Sequence, residues 1–176
     1  RAPRRFWGWG QADATLDARE QATVKTMVEQ LDVPFTERAV PQAHEFALPA
    51  PRVAAPPALA ACFSATRLDR LNHCVGKSYA DLARMWMRSA PTPPDWVAYP
   101  DDEQAVVDIL DWAQTHNVAV IPYGGGSSVC GGVEAAVGDG YGGVVSLDME
   151  RLIRVLEVDP VSRAALLPLL AALALG

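Results

Sequence analysis

The residues best suited to chemistry form a glycine-rich stretch that directly follows the apolar residues 118–121. The stretch reads Pro122, Tyr123, Gly124, Gly125, Gly126, Ser127 and Ser128. Glycine has no Cβ and tolerates positive φ, so successive N–H groups of such a stretch can converge on one anion. The two serine hydroxyls can add hydrogen bonds. The pattern therefore predicts a binding site for a diphosphate group.

Two common nucleotide motifs do not account for this stretch. A Walker A motif would have to end at Gly76-Lys77-Ser78, and its first glycine would then fall on Leu71. A Rossmann fingerprint needs a third small residue that residues 124–129 do not supply, and further glycines follow where its helix should begin. Both motifs are excluded, whereas a glycine-rich turn that binds nothing stays an alternative.

Short apolar strands and one helix must position the glycine-rich stretch. The pattern predicts strands over residues 96–99, 118–121, 144–147 and 153–158. Between the first two, Asp101 or Asp102 is expected to cap a helix that ends near His116, because apolar residues recur there at helical spacing. Residues 96–121 then form a β-α-β unit with a parallel strand pair.

The first half of the chain carries different signals. Asp17 can cap an amphipathic helix that ends near Leu31, and Ser78 with Asp81 forms a capping-box start for a second helix. Six prolines in residues 34–60 predict an extended linker. The predicted fold is α+β or α/β, with a helical and extended N-terminal region over residues 1–90. A domain over residues 91–176 follows, and residues 164–176 form an atypical Leu/Ala tail within it.

Composition excludes several classes of function. The 176 residues carry 15 basic and 21 acidic side chains, a net charge of −6 that disfavours a nucleic-acid-binding arm or a polybasic membrane anchor. The apolar tail is too short for a transmembrane helix. Three cysteines without a C-x-x-C pair predict reduced thiols and a cytoplasmic location. The adjacent His73 and Cys74 lack partners at ligand spacing, so we predict no metal site.

Several segments resemble one flavoprotein superfamily. Residues 94–97 (Pro-Asp-Trp-Val) and 120–129 resemble the start of the FAD-binding domain of the vanillyl-alcohol-oxidase/p-cresol-methylhydroxylase (PCMH-type) superfamily. The similarity is greatest to the alkyldihydroxyacetone-phosphate (alkylglycerone-phosphate) synthases and their bacterial FAD-linked oxidase relatives. Residues 7–10, 70–82 and 146–152 also fit this subgroup, and the resemblance covers roughly residues 4–163.

The resemblance implies that residues 122–128 wrap the diphosphate of FAD. Many members attach FAD covalently through a histidine at the position of Gly126, so it also implies a non-covalent cofactor here. The family comprises enzymes that exchange acyl for alkyl groups in ether-lipid biosynthesis, or that oxidise alcohols and hydroxy acids. Their substrates are lipid precursors or other small molecules. The sequence leaves open which chemistry applies, and whether the chain forms a homodimer.

The chain departs from the family after Arg163. The second FAD-contacting loop, the substrate cap and the family's catalytic groups have no counterpart in the printed sequence, so we assign no catalytic residue. We expect a truncated N-terminal fragment that binds FAD weakly or not at all on its own and is inactive alone. The alternative is a non-catalytic module that docks a partner through its apolar helices and its tail.

Overall fold

The main sheet of the protein has four strands in the order β1-β2-β4-β3. The computed structural model describes residues 4–31, 36, 38–152 and 157–166. Strands β2, β4 and β3 are parallel, and β1 is antiparallel to β2 at one edge. A separate antiparallel hairpin consists of β5 and β6. The strands span Phe63–Ser64 (β1), Trp96–Ala98 (β2), Val118–Tyr123 (β3), Gly143–Asp148 (β4), Glu157–Asp159 (β5) and Ala164–Leu166 (β6).

The mixed α/β class is confirmed, but the predicted pairing of the first two parallel strands is wrong. β4 lies between β2 and β3 and pairs with both, so that Val145 is the neighbour of Trp96 on one side and of Val120 on the other. All six residues of β4 are buried, whereas three of the six in β3 are not. A continuously apolar strand is best accommodated at the centre of a parallel sheet, which explains the insertion.

In the described part of the chain, four α-helices accompany the sheet, and three of them begin at the predicted caps. The side chain of Asp17 accepts a hydrogen bond from the N–H of Glu20 and starts the first helix. Asp102, rather than Asp101, caps the fourth, and Ser78 caps the third. The second, six-residue helix was not predicted. The helices span Ala18–Gln30 (α1), Arg67–Asn72 (α2), Tyr79–Trp86 (α3) and Glu103–Thr115 (α4).

The core consists of two main clusters. In one, Ile109, Trp112 and Ala113 of α4 pack against the sheet. In the other, Phe6 and Phe46 pack edge to face beside Leu71 and Met85. α1 contributes no buried residue among the described ones, so its predicted apolar stripe is exposed. The division near residue 90 stays a prediction.

Asp95 fastens the proline-rich linker to the start of the sheet. Its carboxylate accepts hydrogen bonds from the Val144 N–H at 2.7 Å and from the backbone N–H and the guanidinium of Arg52, both at 2.8 Å. Burial alone would raise the pKa of Asp95, but these hydrogen bonds and the charge of Arg52 lower it below its ordinary value. The linker is extended, as predicted, and interrupted only by 3₁₀ turns at Ala43–Glu45 and Pro57–Cys62 among its described residues.

Two sequence predictions fall partly outside the described residues. Of the expected strand over residues 153–158, only Glu157 and Val158 are described, and both lie in β5. Of the tail, residues 164–166 form β6 and residues 167–176 are outside the description. None of the described helices has the length and apolarity that crossing a bilayer requires.

Candidate functional site

The glycine-rich stretch lies at the carboxyl end of the parallel strands. Tyr123 ends β3 and is paired in register with Asp148, which ends β4. Ligands of parallel α/β sheets bind outside this end. Of the seven predicted site residues, Pro122 and Tyr123 belong to β3, and residues 124–128, here called the glycine loop, follow it. Pro122 is tolerated because β3 lies at the edge of the described sheet.

Gly126 closes the glycine loop onto the side chain of Tyr123. It is the one glycine of the three with a positive φ, +70°, and it is buried. A Cβ at this position would stand well inside 3.0 Å of the Tyr123 hydroxyl. That hydroxyl donates a hydrogen bond to the carbonyl of Asn72 at 2.8 Å, and burial raises the pKa of Tyr123 to about 12. A neutral phenol therefore forms the floor of the loop.

A second backbone segment, residues 72–77, holds the far end of the glycine loop. The N–H of Lys77 donates to the carbonyl of Ser128 at 2.7 Å. The neighbouring Gly76 approaches the same carbonyl so closely that a Cβ would collide with it. This segment, here called the clamp turn, thus contacts the loop through Asn72 at one end and through Gly76 and Lys77 at the other.

The glycine loop has backbone N–H groups that the described residues themselves do not use. The N–H groups of residues 125–128 make no hydrogen bond to another residue in the described part of the chain. The side chain of Ser127 is exposed, while the Ser128 hydroxyl accepts from the Gly132 N–H at 3.1 Å. Backbone N–H groups in succession are the donor set that phosphate oxygens bind. The residues fit a diphosphate, and the role of the seven site residues stays a prediction.

A buried polar group that the sequence did not reveal lies beneath the loop. His73 Nε2 is 2.8 Å from the carboxylate of Asp148, and its Nδ1 is 2.7 Å from the carbonyl of Asp69. Arg4 lies 3.6 Å from the same carboxylate, over the ring of Tyr123. Sequence spacing could not connect His73 to a residue 75 positions away. The one available signal was its place in the segment that resembles the flavoprotein family.

Lys77 does not direct its amine at the glycine loop. The amine donates to the carbonyls of Arg5 at 2.7 Å and Phe6 at 3.4 Å. Burial lowers the pKa of Lys77 to about 8, and the nearby Arg4 adds to this effect. The side chain therefore fastens the N-terminal segment to the clamp turn, which is not the role of a phosphate-binding lysine.

The buried amine predicts a pH-dependent difference between the wild type and Lys77→Met. Between pH 8 and about 10.4, the unfolded chain binds more protons at Lys77 than the folded protein does, so this group adds stability as the pH rises. We expect the unfolding free energy of the wild type, relative to Lys77→Met, to increase by about 2 kcal/mol from pH 8 to pH 10. Urea unfolding across this range measures it, with Lys25→Met in the exposed α1 as control. Parallel pH profiles for wild type and Lys77→Met would contradict the assignment.

Comparison with known proteins gives a match to the part of the chain that contains the glycine loop. Residues 94–167, which hold the parallel strands and the glycine loop, match the FAD binding domain family. The chain is 43% identical over 102 residues to an alkyldihydroxyacetonephosphate synthase of Trypanosoma brucei brucei, covering 56% of this chain and 17% of the relative. It is 36% identical over 93 residues to that of Dictyostelium discoideum, covering 53% and 15%. The chain thus spans about a sixth of these relatives.

Solved structures show the same fold. An alkyldihydroxyacetonephosphate synthase structure superposes with a TM-score of 0.75 at 22% identity, covering 92% of this chain and 35% of that one. A second crystal form gives a TM-score of 0.71 at 23% identity, covering 92% and 36%. The resemblance noted from the sequence is therefore confirmed: residues 94–167 match the FAD binding domain family, and over about half of its length the chain is similar to alkyldihydroxyacetonephosphate synthases.

Proposed function

We propose that the glycine loop binds the diphosphate of a non-covalently held FAD. The observation that carries the proposal is the run of N–H groups at residues 125–128, at the carboxyl end of β3, in a segment that matches the FAD binding domain family. When bound, FAD supplies an isoalloxazine ring that can accept an electron pair. The chain's own contribution is to orient the cofactor by its phosphates.

The packing of Gly126 supports the non-covalent attachment. The family's covalent attachment uses a histidine at this position, and here a side chain of any kind would collide with the Tyr123 hydroxyl. The positive φ of Gly126 further disfavours a branched or bulky residue. With Tyr123 in place, the loop has room for a glycine alone at this position.

For the whole protein, we propose the chemistry of an FAD-dependent synthase of the alkyldihydroxyacetonephosphate type, or of a related FAD-linked oxidoreductase. The support is the 43% identity to the trypanosomal synthase over the matched segment. Its substrate would be a lipid precursor or another small molecule. To this activity, the described residues would contribute cofactor binding through the glycine loop.

A titration followed by NMR tests the cofactor proposal on the chain itself. We expect FAD and ADP, which both carry a diphosphate, to shift the backbone amide resonances of residues 124–128, and adenosine to leave them in place. The loop contacts alone predict a dissociation constant on the order of 1 mM for ADP, or about −4 kcal/mol. Amide spectra report such weak binding and show at the same time that the protein is folded. If the amide resonances of residues 124–128 do not shift at millimolar FAD or ADP, the proposal is refuted.

A further inference from the structure

Cofactor binding leaves one buried group without a role, and this group lies directly beneath the glycine loop. His73, Tyr123 and Asp148 come from three separate segments and are 3%, 2% and 1% exposed. Buried polar residues are costly unless their hydrogen bonds are satisfied. Their convergence at this point therefore requires an explanation.

Both ring nitrogens of His73 are engaged. The carbonyl of Asp69 only accepts hydrogen bonds, so Nδ1 carries a hydrogen and donates it. Nε2 lies within hydrogen-bond distance, 2.8 Å, of the carboxylate of Asp148, which also accepts the Glu150 N–H at 2.8 Å. Rotating the ring would break both of these hydrogen bonds. The imidazole is held in one orientation.

The fixed imidazole in turn fixes Tyr123. The two ring centroids are 4.0 Å apart, so the His73 ring occupies the space into which the tyrosine ring could otherwise turn. The other end of Tyr123, its hydroxyl, donates to the carbonyl of Asn72, the residue directly before His73. The clamp turn thus holds the tyrosine by its ring and by its hydroxyl. Gly126 lies against that hydroxyl.

We propose that His73 is a positioning residue for the diphosphate site: through Tyr123, it sets the conformation in which the glycine loop presents its N–H groups. The proposal rests on the function proposed above. A positioning role and a purely structural role of His73 predict that a substitution changes different measured properties. A structural histidine would change global stability, whereas a positioning histidine changes the loop and its affinity for ADP.

Two substitutions at His73 separate these roles. His73→Phe keeps a ring and removes both hydrogen bonds, and His73→Gln keeps a donor that can reach Asp148. We expect His73→Phe to shift the amide resonances of Gly126 and Ser127 without ligand, and to weaken ADP binding about 10-fold. We expect His73→Gln to recover binding to within about 3-fold of the wild type. His116→Gln, at the end of α4, is the control and should leave ADP binding unchanged.

The outcomes decide between the proposals. A folded His73→Phe protein with wild-type loop resonances and wild-type ADP affinity would overturn the positioning role. If His73→Phe does not fold, the test passes to Tyr123→Phe, which removes only the hydroxyl. This variant must then shift the ligand-free amide resonances of Gly126 and Ser127 for the positioning role to stand. If the wild type fails to bind ADP, the cofactor proposal falls, and the loop resonances of the ligand-free variants still test the positioning role.

Discussion

Replacing Gly126 by alanine should cost the protein about 3 kcal/mol of unfolding free energy and abolish the response of the loop to ADP. A residue with a Cβ pays about 1 to 2 kcal/mol in the left-handed region that Gly126 occupies. The new methyl group must also displace the Tyr123 hydroxyl, which leaves the Asn72 carbonyl without its donor, for about 1 to 3 kcal/mol more. Urea unfolding and the ADP titration measure the two effects.

Two companion variants make the result specific. Gly138→Ala is the matched control, because a Cβ there meets no atom within 4 Å and its φ is not positive. We expect it to change stability by less than about 0.5 kcal/mol. Adding Tyr123→Phe to Gly126→Ala removes the hydroxyl from the collision, so alanine should cost less in that background than in the wild type. If Gly126→Ala lowers the unfolding free energy equally in both backgrounds, the Tyr123 hydroxyl is not what opposes the alanine side chain.

The position of the glycine loop after β3 was predictable because its signals are local. An apolar run followed by three glycines and two serines predicted a strand with an anion-binding loop, and β3 ends where the glycines begin. Asp102 and Ser78 likewise marked the starts of α4 and α3, since a cap acts on N–H groups two or three residues away. Each of these features depends on neighbours in the sequence.

The features that the sequence did not show depend on distant contacts. β4 lies between β2 and β3 because its apolar residues are stabilised most by burial on both faces of the sheet. This burial depends on the assembled sheet and not on neighbours in the sequence. The pairing of His73 with Asp148 exists because α2 and β4 end at the same place in space. The side-chain role of Tyr123 follows from the same convergence, so only its backbone position was assigned beforehand.

The second large effect is expected at Gly76, where the clamp turn meets the loop backbone to backbone. Its φ is not positive, so an alanine there is opposed by space alone. The obstacle is the backbone carbonyl of Ser128, which already accepts the Lys77 N–H at 2.7 Å. A backbone group cannot move aside as the end of a flexible side chain can. Gly76→Ala must therefore separate the two segments and break this hydrogen bond, for a loss of about 3 kcal/mol from overpacking and the lost bond together.

Gly142→Ala provides the matched control, because it also faces a backbone carbonyl, that of His116, but at 3.5 Å, an ordinary contact for a Cβ. We expect Gly142→Ala to stay within about 0.5 kcal/mol of the wild type. Gly76→Ala should displace the amide resonances of Ser127 and Ser128 without ligand and weaken ADP binding, although Gly76 itself offers no group to a phosphate. The methyl group of Gly76→Ala cannot fit unless either the clamp turn or the glycine loop moves. Unchanged loop resonances in a folded Gly76→Ala protein would therefore mean that the clamp turn moves independently of the loop.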